Sequence, residues 1–234
     1  APLGDEADMP APPDILEGDA WQLEEQFGRP PDIIVQSTPY DVTDNGQDQW
    51  WGPTVPFEGL DRERWIKAYE FKPSYPLGIR VVHHGHATMR AGDRVLGIAH
   101  YGVGKRYETF PDDVGMLMPA GEATVTWNLH YFPVGITVPQ DVVDVGLWFY
   151  PEGEEPSLET RGEVLMRIDR MGGMPRGGDI LIPPEGQQVL QGVHVLDQPA
   201  LISSFRPHMH MRGKTMSMEA IYPDGRREVL GKVS

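Results

Sequence analysis

The nine residues Ala123-Thr-Val-Thr-Trp-Asn-Leu-His130-Tyr131 decide the fold class. Their odd positions, Ala123, Val125, Trp127, Leu129 and Tyr131, are apolar, and the even ones are polar. A period of two places alternate side chains on opposite faces of an extended chain, so this stretch predicts a strand with one face on a core. The β-branched and aromatic content reinforces that reading. His130 falls on the polar face, opposite the core.

The same texture extends outward in both directions. From Ile33 onward, short β-branched and aromatic runs alternate with Pro, Gly and Asp punctuation. Candidate strands lie at 33–37, 65–71, 78–84, 94–101, 122–132, 142–150, 163–169, 188–195, 200–206, 214–222 and 226–230. So many short strands among 27 glycines and 23 prolines, with no long helical period, predict an all-β, antiparallel sandwich of jelly-roll type. The run Tyr222-Pro-Asp-Gly-Arg226 reads as a hairpin turn, because Pro presets φ and Gly supplies a positive φ. The run Met171-Gly-Gly-Met-Pro-Arg-Gly-Gly178 breaks the pattern and reads as a hinge. The expected organisation is an acidic, Pro-rich strap at 1–32, a complete sandwich at 33–170, the hinge at 171–178 and a partial second β domain at 179–234. Trp21, Leu23 and Phe27 are the strap residues able to pin it to a neighbouring surface.

Charge and composition exclude several classes of function. The formal charge of −15 argues against nucleic acid, whose recognition needs a basic face. Residues 1–50 carry twelve Asp or Glu against the single Arg29, a net of −11, so most of the imbalance sits in the first fifth of the chain. No apolar run approaches the roughly 18–20 residues that cross a bilayer as a helix. With no cysteine, disulfides and thiolate metal sites are unavailable, and any metal must be held by His, Met, Asp or Glu.

Eight histidines are present, and five fall in three tight patterns. His208 and His210 stand two apart, so an extended segment aims both imidazoles at one side, which is a metal-ligand spacing. His83 and His84 are adjacent and would face opposite sides of a flat strand. Joint ligation requires the strand to end or twist there, for which Gly85 offers the freedom. His130 can then supply a third imidazole across the sheet. His86, His100 and His194 read as ordinary solvated or hydrogen-bonding histidines. Imidazole sets with thioethers nearby suit copper, since Cu(I) accepts soft sulfur, whereas zinc sites without Cys usually recruit a carboxylate. Met209, Met211, Met216 and Met218 surround the second pair and read first as core filling.

Four segments in this order resemble the copper type II, ascorbate-dependent monooxygenases, the family of the peptidylglycine α-hydroxylating and dopamine β-monooxygenases, and more closely their bacterial relatives. They are Arg80-Val-Val-His-His84; Leu117-Met-Pro-Ala-Gly-Glu122 leading into Asn128-Leu-His-Tyr131; Arg206-Pro-His-Met-His-Met-Arg-Gly-Lys-Thr215; and Tyr222-Pro-Asp-Gly-Arg-Arg-Glu-Val229. The resemblance spans roughly residues 30–234 and implies two β-sandwich domains, each holding one copper. It matches His83, His84 and His130 to the site that accepts an electron from ascorbate. It matches His208 and His210 to two ligands of the site where oxygen binds and a substrate C–H bond is hydroxylated. In the family a methionine well downstream completes that second site. Here 24 residues follow His210, so the resemblance implies a two-ligand half-site in a short second domain.

Two functions from different classes follow. One is a copper monooxygenase-like domain using up to two copper ions, ascorbate or another electron donor and a small organic substrate, with a cytochrome-like domain as one kind of partner. The other is a non-catalytic β-sandwich scaffold subunit bound to other protein subunits in a larger periplasmic or membrane-associated assembly. A copper chaperone or store would need the ligands alone. The resemblance implies a periplasmic or extracellular location.

Overall fold

A computed structural model of the chain describes residues 19–161, 183–207, 209 and 213–234. The elements in chain order are α1 (Gln22–Phe27), β1 (Ile33–Gln36), β2 (Tyr40–Val42), β3 (Gln49–Trp51), β4 (Thr54–Leu60), β5 (Arg64–Pro73), α2 (Gly78–Val81), β6 (Val82–Ala91), β7 (Arg94–Gly102), β8 (Tyr107–Thr109), β9 (Val114–Met118), β10 (Gly121–Tyr131), β11 (Val138–Asp141), β12 (Val143–Phe149), β13 (Leu158–Glu159), β14 (Met216–Ile221) and β15 (Arg227–Val233). The chain divides into two compact units, Ala1–Glu163 and Val164–Ser234. Among the described residues no helix is long and apolar enough to cross a membrane.

The first unit is the predicted all-β sandwich. One sheet runs β1-β12-β5-β9-β13 with β8 also on β5; the other runs β3-β10-β6-β7 with β4 also on β10. All pairings in these sheets are antiparallel except β13 on β9. Val125, Trp127, Leu129 and Tyr131 of β10 are buried against Val143, Val145, Leu147 and Phe149 of β12 and Ile66 and Phe71 of β5 in one core. The alternation read in 123–131 thus describes how β10 meets the opposite sheet. Burying each large apolar side chain contributes roughly 1.5–3 kcal/mol, which makes this interface the main source of the unit's stability.

The outer face of the six-stranded sheet is covered by residues 19–32, the described part of the strap. Leu23 of α1 is buried with Ala68 and Trp148, and Trp21 and Phe27 pack on the Trp148 ring at 6.0 and 5.9 Å. Glu70 is fully buried beneath the helix, where it accepts the backbone N–H groups of Gln22 and Leu23 and a hydrogen bond from Arg106. A charge in that position requires such partners, because an unpaired buried carboxylate is strongly disfavoured. Gly146 lies under the same cover: a Cβ there would come within 3.0 Å of Trp21 and Pro31.

Three expected strands differ in the structure. The run 78–84 splits into one helical turn, α2, followed by β6, which continues to Ala91. The turn is closed by the Ile79 N–H to Ser74 carbonyl bond, and Ser74 Oγ bonds the buried Asp141. The runs 188–195 and 200–206 form no strand. Val189, Val193, Val195 and Leu201 in these runs are exposed, so among the described residues no facing sheet buries them. The expected strand at 163–169 and the hinge at 171–178 lie outside the described residues. In the second unit, β14 and β15 form the predicted hairpin, with Met216 and Met218 on its half-buried face. Gly225 takes the positive φ of +83° that its turn requires.

Candidate metal centre

The three candidate ligands lie on two strands that are neighbours by register, His83 and His84 on β6 and His130 on β10. His130 of β10 lies directly opposite His84 of β6 on one side and Trp50 of β3 on the other. Between the pairs His130↔His84 and Tyr131↔Val82, the register slips, leaving His83 as an extra residue in β6. Such a bulge rotates its side chain relative to the flat alternation. It lets two adjacent histidines approach the same third ring. Gly85 is not the cause: its φ lies outside the positive region. Its role is space, since a Cβ there would come within 2.5 Å of Phe71 and 3.0 Å of Leu129 in the core beneath the site.

The three imidazoles converge through Nδ1. The His83 and His84 Nδ1 atoms each lie 3.2 Å from His130 Nδ1. Ligand atoms of all three fall within 4.8 Å of one another, so the group can hold a metal ion. A single sp2 nitrogen has one in-plane lone pair or one proton and cannot form two linear hydrogen bonds in that plane. A shared cation satisfies all three at once. Ligand nitrogens 2.0–2.1 Å from a tetrahedral ion stand about 3.3–3.4 Å apart, close to the observed 3.2 Å.

Asp48 sets which nitrogen of His130 is available. His130 Nε2 lies 2.8 Å from Asp48 Oδ2. With Nε2–H donating to the carboxylate, Nδ1 carries its lone pair toward His83 and His84, the arrangement by which outer carboxylates orient metal-binding histidines. The Trp50 ring lies flat on His130, with centroids 4.1 Å apart and planes 3° apart, and meets His84 edge-on at 5.5 Å. That lid explains why His130 is only 5% exposed although it points away from the core. His84 is half-buried and His83 exposed, so the centre opens to solvent on their side.

The loop before β3 fixes both Asp48 and Trp50. Gln49 is buried, accepts hydrogen bonds from the Thr43 N–H and hydroxyl, and donates to the Thr43 carbonyl. Asn45 Oδ1 caps the Gln47 N–H, and Gly46 takes a positive φ of +70°. Sequence reasoning missed Asp48, Gln49 and Trp50. The signal present was the turn dipeptide Asn45-Gly46 followed by a Trp pair, which together mark a turn entering a strand.

His208 and His210 lie outside the described residues. His194 is exposed in the irregular stretch of the second unit. His86 and His100 lie in the first unit on the same sheet as the centre. Family models offer no match to the chain, and no curated protein matches it in sequence.

Proposed function

We propose that the chain is a copper-binding, monooxygenase-like unit whose electron-transfer copper sits at His83, His84 and His130. The observation that carries the reading is the convergence of three Nδ1 atoms beside an engaged carboxylate. Asp48 bonds the far side of His130, which leaves an all-imidazole donor set of the kind that suits copper. The segments that resemble the copper type II monooxygenases add the assignment of an electron-accepting role, and with it a periplasmic or extracellular location. Copper bound there supplies a one-electron carrier.

The chain's own residues define how that carrier is held and reached. His130 is rigid: Asp48 fixes its tautomer and Trp50 excludes water from one ring face. His83 and His84 lie on the open side, where a small reductant such as ascorbate approaches without entering the core. His208 and His210 are the ligands this reading assigns to an oxygen-binding copper, completed by a donor not identified in this chain. A catalytic zinc also accepts three imidazoles, so metal identity is part of the test.

The experiment is equilibrium loading with Cu(I) and with Zn(II), followed by X-ray absorption on the copper form and rapid mixing of the Cu(II) form with ascorbate. Copper bound by three nitrogens, lost in His83→Ala and reduced by ascorbate, is the expected result. Retention of zinc in preference to copper, or no metal at all, overturns the reading. The scaffold alternative has its own observation: among the described residues of the second unit none is a fully buried apolar residue. It predicts no ascorbate-dependent oxygen consumption even in copper-loaded protein.

A further inference from the structure

A second pair of histidines stands beside the three-histidine centre. His86 of β6 and His100 of β7 are directly opposite each other in the antiparallel ladder. Residues so placed hold their Cβ atoms about 4.5–5.5 Å apart on one face of the sheet, and here the ring centroids are 4.6 Å apart with planes tilted by 55°. On the other flank of β6, His86 is in register with Asn128 of β10, whose side chain is exposed. His84 and His86, two residues apart on β6, have ring centroids 6.4 Å apart. One face of this sheet therefore carries an unbroken row of imidazoles, from His130 through His84 and His86 to His100.

We infer that His86 and His100 form a second binding site, for a Cu(II) ion, on the outer face of the sheet and distinct from the three-histidine centre. The argument is geometric. An ion about 2.0 Å from one nitrogen of each ring lies about 3.1 Å from each ring centre, so rings with centres 4.6 Å apart, each turned to present one nitrogen, can meet a shared ion at an angle of about 95°. That is a cis pair. Tetragonal Cu(II) takes nitrogen and oxygen ligands at about 90° to one another, with the remaining positions open to the Asn128 amide oxygen and to water. A linear two-coordinate ion would need the rings much farther apart. His86 is exposed and His100 half-buried, so one ring is held by the sheet while the other is accessible to an arriving ion. The site does not depend on the function proposed for His83, His84 and His130.

The test uses the full chain carrying His208→Ala and His210→Ala, which removes the downstream pair as a competing chelate. This parent and its His86→Ala/His100→Ala derivative are titrated with Cu(II) alone, by calorimetry and by electron paramagnetic resonance. The expected result is one fewer equivalent bound by the derivative, with the remaining copper signal unchanged. In the parent the second equivalent broadens the first signal by dipolar coupling. The single change His86→Ala, at an exposed position, weakens the second equivalent by at least about tenfold, since loss of even an outer partner costs that much at metal sites. It also serves if the double change does not fold. If the parent binds one ion and the derivative none, the second site stands and the three-histidine reading fails. If parent and derivative bind the same number of ions with the same affinities, the inference is overturned.

Discussion

Replacing Asp48 by Asn tests whether the carboxylate beyond His130 organises the metal centre. The native contact is a 2.8 Å bond from His130 Nε2–H to Asp48 Oδ2. The isosteric amide keeps an oxygen acceptor but removes the charge that makes the bond strong and makes the imidazole a better donor at Nδ1. Loss of such an outer partner weakens metal binding by about 10–100-fold, or about 1.4–2.7 kcal/mol. The Asp48 side chain is 51% exposed, so water takes over part of its role and the lower end applies. The expected outcome is about tenfold weaker Cu(I) binding by competition with a chromophoric chelator at fixed pH, with an unchanged melting temperature. Asp44, an exposed acid on the same loop, supplies the control, since Asp44→Asn changes the general field without touching His130. Affinity of the Asp48→Asn protein within twofold of native, or equal weakening by Asp44→Asn, would refute the reasoning.

Other perturbations follow from the packing. Trp50→Ala removes the flat stack on His130; a loss of about 0.5–1.5 kcal/mol is expected in chemical unfolding, together with a downfield move of the His130 ring protons in the NMR spectrum. Gly85→Ala drives a methyl group to within 2.5 Å of Phe71 and 3.0 Å of Leu129, and overpacking of this kind lowers stability by about 1–3 kcal/mol in denaturant titrations. Glu70→Gln leaves the Arg106 guanidinium buried without its counter-charge, so a loss of about 3 kcal/mol is expected, and faster proteolytic release of the segment before Ile33 would show that the strap is held there. Burial pushes the Asp141 carboxyl above the ordinary aspartate range, against the opposing hydrogen bond from Ser74. The native state therefore favours the neutral acid, whose stabilising contribution is complete at low pH and is lost as pH rises through the raised value. Melting curves measured across that rise should flatten in Asp141→Asn; an unchanged pH slope would count against this assignment.

Alternation in 123–131 marked a strand with one face on a core, and the succession of short strands with frequent Gly and Pro marked the sandwich, because a period of two and a one-sided core are the same fact stated locally and globally. The histidine patterns likewise marked His83, His84 and His130 before their rings were seen together. What only the tertiary structure decided depends on register. His83 joins His84 at one centre because β6 carries a bulge opposite His130, and a bulge leaves no mark on residue type. Asp48 reaches His130 across 82 positions of sequence, a separation at which nothing local links an acid to its histidine. His86 and His100 look unrelated in the chain and become a pair once β6 and β7 align. In the second unit, the short apolar runs at 188–195 and 200–206 misled because a strand needs a partner edge and a facing sheet, and those residues have neither among the described ones. The amino-acid order thus specifies which faces are apolar and which side chains can bind metal. The pairing of strands specifies which of those side chains meet, because hydrogen-bond register, and not residue type, sets the distance between two rings.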